Sequence, residues 1–172
     1  MGTLRKGKCY RPLKRPYTRT SKFKTKAYIA TVPSIKITRF NMGDLTKKFN
    51  YVAKLVSKDD AQIRHNAIES ARQVVNRHLH ENLGTNGYYL TIDLYPHHIL
   101  RENKMLGGAH ADRLQTGMAH SFGRVIGASA QVKNGKAIMT AHVDDADVAR
   151  ESLKKAIARL PVRCKIEISK LS

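Results

Sequence analysis

Alternating apolar and polar residues predict several short strands in this chain. Between Tyr88 and Tyr95, for example, Leu90 and Ile92 alternate with Thr91 and Asp93, which is the two-residue period of a half-buried strand. Alternation of this kind is typical of strands with one face on a core. Four segments carry the pattern: Ile35–Phe40, Tyr51–Val56, Tyr88–Tyr95 and Val162–Ile168.

The clearest helical pattern covers Ala61–Leu83, where apolar residues recur every three or four positions and form one buried stripe. Asp59 or Asp60 supplies an N-terminal cap, and Gly84 ends the helix. His78 lies on the stripe, so we interpret it as a core histidine with a hydrogen-bond partner rather than a metal ligand. The stripe consists of Ala67, Ile68, Ala71, Val74, Val75, His78 and Leu79.

A second helix is predicted over Val148–Leu160. Asp144, Asp145 and Asp147 precede it, and carboxylates at this position interact favourably with the positive end of the helix dipole. A metal site is the alternative interpretation, but it would need further ligands that the sequence does not indicate. We therefore assign the three aspartates a structural role.

The dipeptide Asn134-Gly135 predicts a tight β-hairpin between Arg124–Val132 and Lys136–Val143, because it tolerates positive backbone angles. Small residues at Gly127, Ala128 and Ala130 indicate that another backbone comes close to the first of these strands.

Together, these elements run strand, strand, helix, strand, long segment, hairpin, helix, strand. The predicted fold class is α+β, with two helices packed on mixed, largely antiparallel strands. We expect a single domain over residues 35–172, preceded by an N-terminal arm (residues 1–34).

The central segment (residues 103–123) shows no sustained period of either kind. Connections longer than about 12–15 residues without regular structure are uncommon in compact domains and are usually functional or disordered. Glycines such as Gly107 and Gly108 make its backbone permissive, and basic side chains lie between them. We interpret the segment as a functional loop.

Charge narrows the choice of partner. The 172 residues include 32 Lys and Arg against 13 Asp and Glu, a formal net charge of +19. Such an excess favours a large polyanionic partner, with nucleic acid first and an anionic membrane surface second. No apolar run reaches the roughly 18–20 residues of a spanning helix, and the N-terminus lacks the apolar core of a signal peptide. We therefore expect a soluble, cytoplasmic protein that binds nucleic acid and no membrane.

The N-terminal arm carries many cations and no acid, since Asp44 is the first carboxylate of the chain. Pro12 and Pro16 oppose helix formation, and aromatic residues lie between the cations. One interpretation is a disordered solubilising tail; we favour an arm that orders on RNA, with cations along phosphates and rings on bases. Its predicted RNA-binding residues are Arg5, Lys6, Lys8, Tyr10, Arg11, Lys14, Arg15, Tyr17, Arg19, Lys22, Lys24 and Lys26.

Catalytic chemistry has weak support. Four histidines and one acid lie close enough in sequence to suggest a metal-dependent nuclease site. However, the spacing matches no HExxH or paired Cys/His pattern, and adjacent histidines on an extended segment point to opposite faces. We predict no catalytic residue, no metal, no cofactor and no small-molecule substrate. The residues that such a metal site would use are His97, His98, His110, Asp112 and His120.

Cys9 and Cys164 lie near opposite ends of the chain, and neither belongs to a CxxC pair. A disulfide between them is one possibility, but two free thiols in a reducing compartment fit the pattern better. On the alternating strand, Cys164 falls on the apolar face and behaves as a small hydrophobe.

Several motifs resemble the ribosomal large-subunit protein sixteen family, in its archaeal and eukaryotic branch. The resemblance covers essentially the whole chain, and an end at Ser172 without a C-terminal tail favours an archaeal member. The residues that carry it are Asn103–Leu106, Ala111–Met118, Phe122-Gly123, Tyr10-Arg11, Pro16–Arg19 and Lys165–Lys170.

The resemblance implies an α/β-hammerhead core on large-subunit ribosomal RNA, with tRNA of the aminoacyl and peptidyl region and neighbouring ribosomal proteins as partners. It implies no catalytic residue, and it makes Arg101, Lys104 and Arg113 the main cationic contacts of a tRNA-proximal loop. A free-standing RNA chaperone or regulator remains the alternative function. The residues of the implied loop are Arg101, Asn103, Lys104, Met105, Gly107, Gly108, His110, Arg113 and Gln115.

Overall fold

The computed structural model describes residues 6–13, 22–26, 29, 31–102 and 123–171. Within these residues, two α-helices and eight strands form an α+β fold, which confirms the predicted class. Two short 3-10 turns, Gly7–Tyr10 and Lys24–Lys26, lie in the N-terminal arm. In chain order the elements are β1 (Asn41–Gly43), β2 (Tyr51–Ser57), β3 (Ala61–Arg64), α1 (His65–Leu83), β4 (Tyr88–Ile92), β5 (His98–Glu102), β6 (Arg124–Val132), β7 (Ala137–Val143), α2 (Ala146–Ile157) and β8 (Cys164–Lys170).

The large sheet has the strand order β1-β4-β7-β2-β8, and each neighbouring pair is antiparallel. Both helices pack against it and against each other. The core between these layers contains side chains with no exposed surface, including Leu55, Leu90 and Met139 from the sheet and Leu79 and Leu153 from the helices. Neither helix of the described part is long and apolar enough to cross a membrane.

The small sheet has the order β3-β6-β5 and is also antiparallel. Its middle strand carries the small residues noted in the sequence. A Cβ atom added to Gly127 would lie 3.2 Å from Nε2 of His65, so a side chain of α1, rather than another backbone, approaches the strand here.

The predicted start of the first helix is wrong by four residues. Ala61–Arg64 forms β3, and α1 begins at His65. These four residues pair with β6, and this tertiary pairing outweighs their local helical preference. The proposed caps are used elsewhere: Asp59 pairs with Arg163 at 2.7 and 3.0 Å, and Asp60 accepts the backbone N–H of Asn134 at 2.7 Å.

The rest of the first helix follows the prediction. Ile68 and Val75 on its stripe have no exposed surface, and Gly84 ends the helix with φ of +72°. His78 is buried as expected, but its Nδ1 has no hydrogen-bond partner among the described residues, and its Nε2 lies 3.8 Å from a carboxylate oxygen of Glu151. The prediction that the His78 side chain has a hydrogen-bond partner is therefore wrong.

Ile35–Phe40 was predicted as a strand, and this is wrong. The segment follows α1 instead: the Lys36 backbone N–H donates to Nδ1 of His65 at 2.9 Å, and the Thr38 backbone N–H donates to Glu69 at 3.4 Å. Since its donors are satisfied by helix side chains, the segment needs no sheet partner.

The predicted hairpin around Asn134-Gly135 is also wrong, although the turn exists and Gly135 has φ of +81°. The strands on its two sides, β6 and β7, belong to different sheets. Both edges of β7 are occupied by β2 and β4, and both edges of β6 by β3 and β5, so the turn connects the sheets instead of closing a hairpin.

The remaining elements shift by a few residues. The strand predicted to start at Tyr88 ends at Ile92, although the burial of Leu94 continues its pattern, and the last strand is Cys164–Lys170. Strand β5 was missed, because His98–Glu102 was read only as a lead into the central segment.

Two further local predictions are confirmed. Acidic residues do lie at the positive end of α2, although the helix covers Ala146–Ile157 rather than Val148–Leu160: Asp147 is in its first turn, and the Asp145 carboxylate accepts the backbone N–H of Asp147 at 2.9 Å. Cys9 and Cys164 are both free thiols. Burial raises the pKa of the Cys164 thiol to about 11, as expected for a hydrophobic rather than a reactive cysteine.

Candidate nucleic-acid interface

The first part of the N-terminal arm lies along the open edge of β3. The backbone N–H of Gln62 donates to the carbonyl of Arg11 at 2.9 Å. Its side-chain Nε2 donates to the carbonyls of Tyr10 and Pro12 at 3.3 and 2.6 Å. Gln62 is 3% exposed, so water competes little for these bonds. One buried side chain thus fastens the arm to the small sheet.

The cationic side chains of the described arm face solvent. Lys6, Lys8 and Arg11 are exposed, as are Lys22 and Lys26 further along. The Lys26 ammonium lies 5.3 Å from the centre of the exposed Phe23 ring. This surface presents positive charge next to an aromatic face, which is the combination that single-stranded nucleic acid requires.

Tyr10 connects the arm to the base of the central segment. Its hydroxyl donates to the Glu102 carboxylate at 3.2 Å, and the Arg64 guanidinium lies over its ring at 5.4 Å from the centre. The ring is therefore held from two sides, at the point where β5 ends.

The register of β5 and β6 defines where the central segment leaves the fold. Glu102 lies opposite Arg124, so residues 103–123 begin and end at neighbouring positions on one end of the small sheet. The register shifts between Leu100 and Arg101, which leaves Ile126 as an extra residue on β6. Bulges of this kind often redirect side chains beside functional sites.

A cavity of about 300 Å³ lies between the arm, the start of α1 and the bulged part of the small sheet. One part of its wall is polar and basic, and another is apolar. The lining residues are Tyr10, Pro33, Ser34, Lys36, Arg64, His65, Asn66, Leu100, Ile126 and Gly127.

The two histidines of this region are neutral at physiological pH. Burial lowers the pKa of His65, and the nearby charges of Lys36 and Arg64 lower it further. Because Nδ1 of His65 accepts the Lys36 backbone N–H, its proton sits on Nε2. Burial, assisted by Arg101, likewise lowers the pKa of His98 on β5. Lys36 and Arg64 therefore supply the cationic charge at the cavity wall.

Sequence reasoning missed an exposed group of three rings. Phe40 stacks on Tyr95 with ring centres 5.5 Å apart, and Tyr95 lies 4.5 Å from His97. Tyr95 is 49% exposed, so part of this group is open to solvent. Exposed aromatic rings are groups on which unpaired bases can stack. The alternation that ends near Tyr95 and the adjacent Pro96 were the available signals.

The structure brings together only part of the predicted site. Tyr10, Arg11 and Arg101 lie around the small sheet, and only the backbone of Lys24 is described. Lys36 and Arg64 at the cavity were not among the predicted site residues. Lys36 lay on a predicted strand, and Arg64 lay on the predicted helix, where a solvated face was at least as good an interpretation as a contact with RNA. The following predicted residues lie outside the described residues: Arg5, Lys14, Arg15, Tyr17, Arg19, Asn103, Lys104, Met105, Gly107, Gly108, His110, Arg113 and Gln115.

The metal-dependent nuclease alternative gains no support from the described part of the chain, where no three His, Cys, Asp or Glu side chains cluster as metal ligands. His97 is exposed and His98 is buried, so the adjacent histidines do point to opposite faces. His110, Asp112 and His120 lie outside the described residues.

Comparison with known proteins decides the family. Residues 12–167 match the sequence model of the family described as "Ribosomal protein L16p/L10e". The chain belongs to this family. Membership makes it a structural, non-enzymatic protein of the large ribosomal subunit, and therefore a component of the ribosome in the cytoplasm.

Archaeal members of the family are similar to the chain over nearly their whole length. The large ribosomal subunit protein uL16 of Methanococcus aeolicus is 44% identical over 170 residues, which cover 97% of this chain and 95% of the relative. The proteins of the same name from Sulfolobus acidocaldarius and Caldivirga maquilingensis are each 42% identical, covering 98% of this chain and 96% or 97% of the relative. The resemblance that the motifs carried is confirmed, including its archaeal branch.

Proposed function

We propose that this chain binds large-subunit ribosomal RNA through its N-terminal arm and small sheet, and that its central segment helps to shape the aminoacyl-site region next to the peptidyl-transferase centre. Neighbouring ribosomal proteins and tRNA in the aminoacyl and peptidyl region complete its set of partners. Family membership supports the ribosomal setting.

The observation that carries the RNA-binding proposal is the docked arm. Its exposed cations include Lys6, Lys8 and Arg11, and the Gln62 hydrogen bonds hold them to a folded surface that also bears Arg64 and a cavity. A cationic segment that is fastened in place loses less conformational entropy when it binds than a free tail does. Phosphate neutralisation would then supply most of the affinity.

Co-sedimentation with large subunits tests the ribosomal role against a free-standing RNA chaperone or regulator. In a density gradient at moderate salt, we expect about one copy of the chain per large subunit, and little at the top of the gradient. A chaperone would bind transiently and would stay substoichiometric. Such an outcome would remove the structural role in favour of the alternative.

The salt dependence of binding tests the phosphate-neutralisation mechanism. For the purified full chain and large-subunit ribosomal RNA, log Kd should rise steeply and linearly with log salt concentration, with a slope near 0.7–0.9 per phosphate contact. The double change Lys6→Ala with Lys8→Ala should lower the slope by about one to two. Lys154→Ala with Lys155→Ala on α2 is the matched control for loss of charge. An equal change in both pairs would show that net charge, not the arm, governs binding.

The tRNA part of the proposal rests on Glu102 and Arg124, the two residues that flank the central segment and lie opposite each other at one end of the small sheet. Because Glu102 lies opposite Arg124, deletion of Met105–Gln115 leaves ends that a short connection can join. We expect the deletion to leave the thermal unfolding midpoint within a few degrees of the wild type and to impair subunit maturation or tRNA accommodation.

A matched variant replaces Met105–Gln115 by the same number of Gly and Ser residues, and so separates loop length from side-chain chemistry. It should behave as the deletion does. Unfolding of the isolated domain by the deletion would make the segment part of the core, and normal tRNA accommodation by both variants would refute the proposed role.

A further inference from the structure

We propose that the cavity beside the start of α1 holds a single nucleotide of large-subunit ribosomal RNA, with its phosphate against Lys36 and Arg64 and its base against the Tyr10 side of the wall. This inference rests on the proposed RNA binding, and it adds a defined pocket and a defined ligand class. The cavity joins three parts of the chain: the arm, the segment before β1, and the small sheet.

The basic side of the cavity suits a phosphate. Lys36 and Arg64 both line it, and no acid of the described residues does. His65 also lines it, but burial and the two nearby cations lower its pKa, so it adds no positive charge. His65 and Asn66 are the first two residues of α1, a helix of 19 residues with no acid in its first turn. Its N-cap side chain makes no capping hydrogen bond, so nothing in the helix itself compensates the partial positive charge at this end. The cations and the helix end therefore act on the same small volume.

The aromatic and apolar part of the cavity wall, which adjoins Arg64, suits a base. Tyr10 is oriented by its hydrogen bond to Glu102 and by the Arg64 guanidinium over its ring. Leu100 and Ile126 add apolar surface next to it. Aromatic rings and guanidinium planes are the groups on which unpaired RNA bases stack, so a ring held in this way is ready to receive one.

Asn66 adds a buried hydrogen-bond acceptor to the cavity. It lines the cavity, and its Oδ1 is buried with no hydrogen-bond partner among the described residues. Buried polar atoms are rarely left in this state. A base amino or imino group, or a ribose hydroxyl, would satisfy it, whereas a bare phosphate has no donor to offer.

Volume limits the ligand to one nucleotide. About 300 Å³ is at the lower end of the range for small-molecule sites, which is roughly 300–1,000 Å³. A duplex cannot enter such a space, so the nucleotide must come from a loop, a bulge or a strand end, where bases can turn outward.

The test uses the full-length chain and large subunits from which the native protein has been removed by a high-salt wash. Rebinding is measured by sedimentation for the wild type and for two kinds of variant. Arg64→Ala with Lys36→Ala removes the basic side, while Ser34→Trp fills the cavity at an exposed lining position and leaves every charge in place. Lys154→Ala with Lys155→Ala on α2 is the charge-matched control, and thermal unfolding confirms that each variant folds.

We expect the Kd of both cavity variants to rise about tenfold or more, and that of the control pair less than about threefold. Nuclease or chemical probing of the rebound RNA should show one protected unpaired nucleotide with the wild type that becomes reactive with Ser34→Trp. If folded Ser34→Trp rebinds like the wild type and leaves the probing pattern unchanged, the cavity is not a nucleotide site.

The two levels of the proposal fail in different ways. If the wild-type chain itself does not rebind stripped subunits, the proposed RNA binding is wrong. If the wild type rebinds and the cavity variants match the control pair, RNA binding stands and only the nucleotide pocket is refuted.

Discussion

Replacing Gln62 by alanine tests whether one buried side chain fastens the N-terminal arm to β3. The change removes the Nε2 bonds to the carbonyls of Tyr10 and Pro12, together with the bond that Oε1 accepts from Gln131 at 3.2 Å. The backbone bond from residue 62 to the Arg11 carbonyl can still form. The loss is therefore confined to side-chain hydrogen bonds.

The expected magnitude follows from the two bonds to the arm. At about 0.5–1.5 kcal/mol for each net hydrogen bond, arm docking should weaken by about 1–3 kcal/mol. Since about 1.4 kcal/mol corresponds to a factor of ten, the detached population should rise about 5- to 150-fold. Global unfolding should change much less, because the cores of both sheets are untouched.

Hydrogen exchange at residue 62 measures this directly. Its amide proton donates to the Arg11 carbonyl, so its exchange rate reports docking of the arm. In Gln62→Ala this amide should exchange faster by the factor above, and trypsin should cut after Lys6 and Lys8 more rapidly.

Gln131→Ala is the matched control, because it removes the hydrogen bond to Oε1 of Gln62 and keeps both bonds from Nε2 to the arm. It should leave exchange at residue 62 close to the wild-type rate. Equal acceleration in both variants would show that general loosening of the small sheet, and not the arm contacts, controls docking, and the reasoning would then be refuted.

Three further predictions concern other parts of the fold. Gly43→Ala should lower the free energy of unfolding by about 3 kcal/mol or more in chemical denaturation, because φ is +87° and the new Cβ would lie 2.1 Å from a backbone oxygen of β4. Gly135→Ala is the control: φ is +81° but the space around it is open, so it should cost only about 1 kcal/mol, and equal losses in the two variants would contradict the prediction. With iodoacetamide at pH 8, mass spectrometry should show rapid modification of the exposed Cys9 and very slow modification of Cys164, since a pKa of about 11 leaves only about 0.1% of the Cys164 thiol as thiolate. If the arm binds RNA, added RNA should slow the modification of Cys9. The pKa of Glu69 is lowered from 4.5, first by the hydrogen bonds that its carboxylate accepts from the Arg72 guanidinium. The stability that this carboxylate contributes is therefore present above pH 4.5 and is lost as the pH falls through the lowered pKa. In unfolding curves measured from pH 7 to pH 3, Glu69→Gln should remove this part of the loss of stability in acid.

Local chemistry predicted well wherever the partner of a residue is near in sequence. Gly84 ends α1 and Asp145 caps α2 because both effects depend on backbone within one or two turns. The apolar stripe containing Ile68 and Val75 was equally readable, since burial of one helix face leaves a strict period.

The predictions were wrong where a partner far away in sequence determines the local structure. Asn134-Gly135 makes the turn its chemistry requires, but which strands pair beside it depends on four other strands of the chain. Residues 61–64 continue a helical pattern and nevertheless pair with β6. The segment at Ile35–Phe40 alternates as a strand does, yet its donors are taken by side chains of α1.

The candidate site was predictable in kind but not in place. A high density of cations in the arm indicated a polyanion, because charge excess is visible in composition. The cavity was not visible, because Tyr10, Lys36, Arg64 and Ile126 come from four separate stretches that only the folded chain brings together.

The position of β2 in the large sheet has a consequence for how the protein folds during its synthesis. This strand lies between β7 (residues 137–143) and β8 (residues 164–170), both of which are synthesised after it. Until both have emerged from the translating ribosome, the apolar β2 lacks at least one of its neighbours, so the large sheet cannot be completed before residue 170 has emerged. Sheets built from such distant pairings fold slowly and expose apolar edges in the meantime. A newly made copy therefore exposes one apolar edge of β2 until β8 has paired with it.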